Sequence, residues 1–232
     1  MECLYLPEFD ESCETLKIYG EKLKHLRALR LKINDKILLT NGIGYSALST
    51  VIDNIKSNFI LKVIEKYISL NEPQNKFSLA IGILDNKDRF EFALEKSVEL
   101  GISNFFPIIS DYTQKSKINN DRLKLKAIAA LEQSKRSYLT NINEPQKLDT
   151  FLKNNYLNFK NIILCDEFGD KPINTKIDFP CLILVGPEGG FSQKEIEFIK
   201  SYNNITLWNL GKTRLRAETA AIAACSALIA NF

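Results

Sequence analysis

An apolar run, Leu182-Ile183-Leu184-Val185, stops at the turn Gly186-Pro187-Glu188-Gly189-Gly190, and Phe191-Ser192 then opens a helical pattern. Few folds accommodate this order. A short, wholly apolar run reads as a strand buried on both faces, as in a parallel sheet, and parallel strands need long crossovers, usually helical. The plan recurs at Ile205 to Leu210, followed by Gly211-Lys212-Thr213-Arg214-Leu215-Arg216 and a helical stretch from Ala217 to Asn231. Two such turns at successive strand ends are where an α/β protein holds a small ligand.

The preceding chain supports the same class. Strands are expected at Phe77 to Leu84, Phe105 to Ile109, Ile162 to Cys165 and Cys181 to Val185. Helices are expected at Asp88 to Leu100 (stopped by Gly101), Asp121 to Tyr138 and Ser192 to Tyr202. This alternation implies a mostly parallel sheet covered on both faces. The first seventy or so residues read differently. Lys36 to Thr40 and Tyr45 to Ile52 flank Asn41-Gly42-Ile43-Gly44, a strong hairpin signal, and Asn58 to Ser69 adds a β-branched strand. A short basic helix from Gly20 to Leu31 carries His25, Arg27 and Arg30. The pattern is that of a small β-barrel-like module. The polar, proline-containing break Asn71-Glu72-Pro73-Gln74-Asn75 divides the chain into residues 1–72 and 73–232.

Composition narrows the chemistry. The net charge is only +3 over 232 residues, so nucleic-acid binding must come from local basic patches. Five cysteines without CxxC spacing read as free thiols in a reducing cytoplasm. His25 is the single histidine, which argues against a metal and against any catalytic group needing a second imidazole. The amino terminus lacks the plan of a secretion signal. The uncharged stretch from Thr219 to Phe232 is shorter than the roughly 20 residues a bilayer requires, so no membrane association is expected.

In the first turn, Gly186, Gly189 and Gly190 allow close backbone approach, and Ser192 with Glu195 forms a capping box that sets the helix start. Neither a Walker loop nor G-x-G-x-x-G is present, and Glu188 would repel phosphate. In the second turn Lys212, Arg214 and Arg216 precede Glu218. Two readings stand there. The cations are solvated or paired with Glu188, with Glu218 complementing the helix dipole; or a fixed guanidinium stabilises negative charge forming on a substrate.

Taken together, Val185 to Ser192 with Glu195, Leu210-Gly211, and Leu215-Arg216-Ala217-Glu218-Thr219-Ala220 resemble the signature of the RsmE family. These are SPOUT-class enzymes that methylate N3 of a uridine in the decoding region of 16S ribosomal RNA. Three further segments resemble the family in order: His25-Leu26-Arg27-Ala28-Leu29-Arg30 with Asn34-Asp35; Lys96 to Gly101; and Glu132-Gln133-Ser134 with Arg136. The resemblance implies a PUA-like RNA-binding domain over 1–72 and a SPOUT α/β domain with a trefoil knot over 73–232. It also implies S-adenosylmethionine as cofactor, a homodimer, and 16S rRNA in the small ribosomal subunit as substrate. By motif matching, the cofactor site comprises Leu184, Val185, Gly186, Pro187, Glu188, Gly189, Gly190, Leu210, Gly211, Leu215, Arg216 and Ala217. Two positions depart from the family pattern: Ala217 stands where threonine is common, and Arg214 where an aliphatic residue is frequent.

For such a reaction N3 of uracil must lose its proton, and the charge spreads to the flanking carbonyl oxygens. Arg216 is the candidate cation for that charge, and Glu188, Glu218 or solvent the candidate base. RNA is expected to meet Lys24, Arg27, Arg30, Lys32 and Arg136, with Lys115, Lys117 and Lys135 adding to them. Competing readings are a SPOUT enzyme acting on a ribose hydroxyl or a tRNA base, a non-catalytic ribosome-assembly protein, and a nucleotide hydrolase. The last lacks a phosphate lysine in a recognisable frame.

Overall fold

The hairpin at Asn41 to Gly44 organises the amino-terminal part of the computed structural model, which describes residues 1–55, 58–171 and 176–231. Strands β3 (Lys36–Thr40) and β4 (Tyr45–Ile55) pair antiparallel across it. Gly44 has φ +111°, and a Cβ there would lie 2.5 Å from the Tyr138 hydroxyl, so glycine is required on both counts. Strands β1 (Glu2–Tyr5), β2 (Thr15–Ile18) and β5 (Asn58–Ile68) complete a five-stranded sheet in the order β1-β3-β4-β5-β2. Helix α1 (Gly20–Ala28) turns Leu23 and Leu26 into a core with Leu4, Phe9, Ile37, Phe59 and Leu61. It ends earlier than expected, because Arg30 adopts φ +55° just beyond it.

Compact packing groups Met1–Glu72 with residues 128–139, and Pro73–Ala127 with Thr140–Phe232. In the second unit β6 (Phe77–Gly82), β7 (Asn104–Ile109), β8 (Asn141–Ile142), β9 (Gln146–Lys147), β10 (Asn161–Asp170), β11 (Cys181–Val185) and β12 (Ile205–Trp208) form one sheet. Its order is β12-β10-β11-β6-β7-β8, with β9 also on β7, and every pairing is parallel. Strands β6 and β11 are buried at every residue, as central strands covered on both faces should be. The helices are α2 (Lys87–Glu99), α3 (Asn120–Ser134), α4 (Leu148–Asn155), α5 (Gln193–Lys200) and α6 (Ala217–Asn231). Helix α6 follows the edge strand β12 yet packs over the middle of the sheet, against α2, β11 and β6.

Helix α3 stops at Ser134, four residues short of the expected end, because Lys135 turns to φ +58°. That turn carries Arg136 inward, and its expected role in RNA binding is corrected here. The Arg136 side chain is 3% exposed, and its Nη2 donates to Glu72 Oε2 at 2.8 Å. Glu72 Oε1 also accepts from the backbone N–H groups of Ser137 and Tyr138, each at 2.9 Å. A guanidinium so enclosed is structural.

The five thiols are free. Burial pushes Cys3, Cys181 and Cys225 up to about 12, so none supplies a thiolate nucleophile at neutral pH. Among the described residues no helix is long and apolar enough to cross a membrane.

Candidate active site

Because the sheet is parallel, the loops after β6, β7, β10, β11 and β12 all leave its carboxyl edge. Only β10 separates β11 from β12, so the turns that follow them start about 10 Å apart, two strand spacings. The first turn is tightly fixed. Pro187 lies so close to β6 that a Cβ on Gly82 would stand 2.4 Å from the Pro187 nitrogen. A Cβ on Gly186 would stand 2.8 Å from the Gly190 carbonyl carbon. Ser192 caps α5 through the expected capping box with Glu195. The same two side chains reach the loop after β7: Ser192 Oγ donates to Asp111 Oδ2 at 2.6 Å, and the Asp111 N–H donates to Glu195 Oε1 at 2.9 Å.

Replacing Gly82 by alanine should therefore push Pro187 off β6. An overpacking cost of about 1–3 kcal/mol is expected, read as a lower denaturation midpoint at constant m-value. Unchanged stability would show that the turn yields without loss.

Beside the first turn is an open cleft of about 690 Å³. Asp85, Asn86 and Arg89 line it from the loop after β6 and the start of α2, and Glu188 and Gly189 from the turn. The loop after β7 adds Asp111, Tyr112, Thr113 and Gln114. Asn86 caps α2 by accepting from the Asp88 and Arg89 N–H groups, which places Arg89 in the first helical turn. Its Nε lies 3.7 Å from Glu218 Oε1, and Glu218 is nearly buried in the first turn of α6. Glu188 is exposed, and both its carboxylate oxygens face the Asp85 N–H, at 3.1 and 3.4 Å. Lys115 Nζ pairs with Asp85 at 2.7 Å.

The second turn is more open. Asn209 accepts from the Gly211 N–H at 2.9 Å, and Gly211 has φ +141° with open space where a Cβ would stand. Gly190, at φ +72°, faces open space too. Lys212, Arg214 and Arg216 are exposed, and among the described residues none of them makes an ion pair. Glu188 is thus held by Asp85, and the pairing of Glu188 with Arg216 weighed from sequence is not formed. Leu184 and Val185 are buried at the end of β11, Leu210 and Leu215 half-buried, and Ala217 buried.

In the amino-terminal unit Lys24, His25, Arg27, Arg30 and Lys32 are all exposed. Lys24 and Arg27 follow from the helical period of α1, whose buried residues are Leu23 and Leu26. Of the residues lining the cleft, Glu188 and Gly189 are expected from the sequence, whereas Arg89, Asp85, Asn86 and the loop from Asp111 to Gln114 are not. The available signal was an Asn cap directly after an apolar strand, repeating the plan of Ser192 after β11.

Comparison with known proteins places these features in context. A family profile described as RNA methyltransferase domain matches residues 71–229, and one described as RNA methyltransferase PUA domain matches residues 18–64. The Ribosomal RNA small subunit methyltransferase E of Rickettsia conorii is 34% identical over 84% of this chain and 81% of its own length. The crystal structure of a Ribosomal RNA small subunit methyltransferase E from Neisseria gonorrhoeae, bound to S-adenosyl methionine, superposes with a TM-score of 0.85. It is 27% identical, covering 98% of this chain and 96% of that one. A methyltransferase structure from Legionella pneumophila with bound SAM gives a TM-score of 0.82 at 26% identity, over 98% and 96% of the two chains.

Proposed function

Since this chain belongs to the Ribosomal RNA small subunit methyltransferase E family, we propose that it methylates N3 of a specific uridine in the decoding region of 16S rRNA, using S-adenosylmethionine. The observation that carries this reading is the pair of glycine turns at the carboxyl edge of a parallel sheet, one beside a cleft lined by an arginine and an exposed glutamate. The residues present fit the cofactor. Gly190 and Gly211 leave bare backbone beside open space, and the flanking side chains of Val185, Leu210, Leu215 and Ala217 are apolar. Main-chain donors and acceptors with apolar walls suit an uncharged purine, whereas a phosphate cradle would need a cation where Glu188 stands. When bound, S-adenosylmethionine supplies an electrophilic methyl group on sulfur.

The chain's own residues do the rest. Residues 184–190 form one wall of the cofactor site and Leu210, Gly211, Leu215, Arg216 and Ala217 the other. Arg216 stabilises the negative charge that develops on the uracil ring, Glu188 accepts the N3 proton, and Glu218 holds Arg89. Residues 1–72 act as a PUA-like RNA-binding domain and 73–232 as the methyltransferase domain, in keeping with the two matched profiles. The return of α6 from the edge strand to the sheet centre supports a trefoil knot at this end of the chain. The same helix is built mostly of alanine with larger aliphatic residues and exposes Ile229, which favours a homodimer that covers it. The enzyme works in the cytoplasm, on the assembled or partly assembled small subunit.

Incubation with unmethylated small subunits and labelled cofactor should yield 3-methyluridine in 16S rRNA by nucleoside mass spectrometry. Label in a ribose or in tRNA would overturn the assignment, and absence of cofactor binding by calorimetry would favour an assembly factor. Lys24, Arg27, Arg30 and Lys32 should contribute about 3 units to the slope of log affinity against log salt, at about 0.7 per phosphate neutralised. Alanine at all four positions is expected to remove that contribution, and a slope equal to wild type would place the RNA elsewhere.

A further inference from the structure

The cleft beside the first turn has a charge pattern that selects what enters it. Asp85, Asp111 and Glu188 line it with a single arginine, Arg89, while Lys115 is engaged with Asp85. With Asp85 paired to Lys115, Asp111 and Glu188 still outnumber Arg89 in the cleft, a balance that disfavours a phosphodiester there. Arg89 uses only its Nε on Glu218; among the described residues its two terminal nitrogens have no partner. Glu188 spends its carboxylate on one backbone N–H and retains acceptor capacity. Tyr112, 52% exposed, adds an aromatic face on the same wall. The cleft thus offers a donor group, an acceptor group and a stacking surface to an uncharged planar ligand.

Resting on the function proposed above, we infer that this cleft receives the flipped target base, and that Arg89 and Glu188 read it as uracil. The reacting edge of uracil presents an N–H between two carbonyl oxygens. Glu188 accepts the N3–H, Arg89 donates to the flanking O4, and Tyr112 supports the ring. Cytosine presents an acceptor at N3 and an amino group in place of O4, so Glu188 set against N3 and Arg89 set against O4 would both meet like with like. As N3 loses its proton to the Glu188 carboxylate, the charge left on the ring spreads to the oxygen that Arg89 holds, and the N3 lone pair is freed for the methyl group. Glu218 is a positioning residue: from the first turn of α6 its carboxylate attracts the Nε edge of the Arg89 guanidinium at 3.7 Å, leaving the terminal nitrogens for the base.

The test uses the full-length protein and unmethylated small subunits, carrying either uridine or cytidine at the target position. For wild type, 3-methyluridine forms and the cytidine subunits are methylated at least about 10⁴-fold less efficiently, the discrimination expected of a site built on hydrogen bonds. Arg89→Ala is expected to lower kcat/KM on uridine subunits by about 10²–10³-fold. Arg89→Lys should recover part of that loss, because a charge remains without the fork geometry. In Glu218→Gln, kcat should fall while calorimetric cofactor affinity stays within about threefold. Cofactor affinity should likewise be unchanged in Arg89→Ala, whose side chain lies outside both walls assigned to the cofactor. A loss of more than tenfold there would assign the cleft to the cofactor and overturn the inference. So would wild-type turnover by a folded Arg89→Ala protein, with the proposed methylation left standing. If wild type itself forms no 3-methyluridine, the functional reading fails and this inference falls with it.

Discussion

Replacing Glu72 by alanine is expected to destabilise the protein by about 3–5 kcal/mol, the cost of removing one partner from a buried ion pair. The figure applies because both side chains are enclosed, Arg136 at 3% and Glu72 at 11% exposure. It is a large share of the roughly 5–15 kcal/mol that holds a typical domain folded. Alanine would take the carboxylate from Arg136 and also from the Ser137 and Tyr138 N–H groups. Glu72→Gln should cost less, since an amide oxygen still accepts from the two backbone donors. Chemical denaturation followed by circular dichroism measures both variants. Should Glu72→Ala unfold within 1 kcal/mol of wild type, the pair is more solvated than its exposure indicates.

The second large effect is expected at Arg216. Its side chain is exposed and makes no ion pair among the described residues, so Arg216→Ala should leave the unfolding midpoint nearly unchanged. Single-turnover methylation of small subunits should nonetheless slow by about 10²–10³-fold, the usual loss on removing one donor from a site of developing negative charge. Cofactor affinity should change by only a few fold, because the turn that carries Arg216 is shaped by Asn209 and Gly211, which remain. Near-normal turnover on the correct RNA would remove Arg216 from the chemistry and leave Arg89 as the cation.

What could be read in advance was local. The hairpin at Asn41 to Gly44, the strand Cys181–Val185 and the Ser192–Glu195 capping box each depend on residues within a few positions of one another. Arg136 was misread because its partner lies 64 residues away, and a cation just past a helix end looks like surface charge until Glu72 is beside it. Arg89 escaped for the same reason. In the run Asp85 to Arg89 it resembles one more solvated charge, and only the fold brings Glu218 to its Nε. Strands β1 and β2 are four residues each, too short to show a period, and α4 has only eight. Glu188 was identified as important, yet its orientation toward Asp85 depends on β6 and β11 being neighbours.

The placement of residues 128–139 with the first seventy-two bears on how such a protein is inherited and dissected. A cut at the polar break would sever Tyr5 from Glu132, whose carboxylate accepts the Tyr5 N–H at 2.8 Å, and Glu72 from Arg136. It would also strip the hairpin turn of the Ser137 carbonyl that accepts from Gly44. The amino-terminal unit is therefore not a cassette that recombination could lift out as one stretch of gene. Grafting it onto another enzyme would require a second insertion, carrying the end of α3.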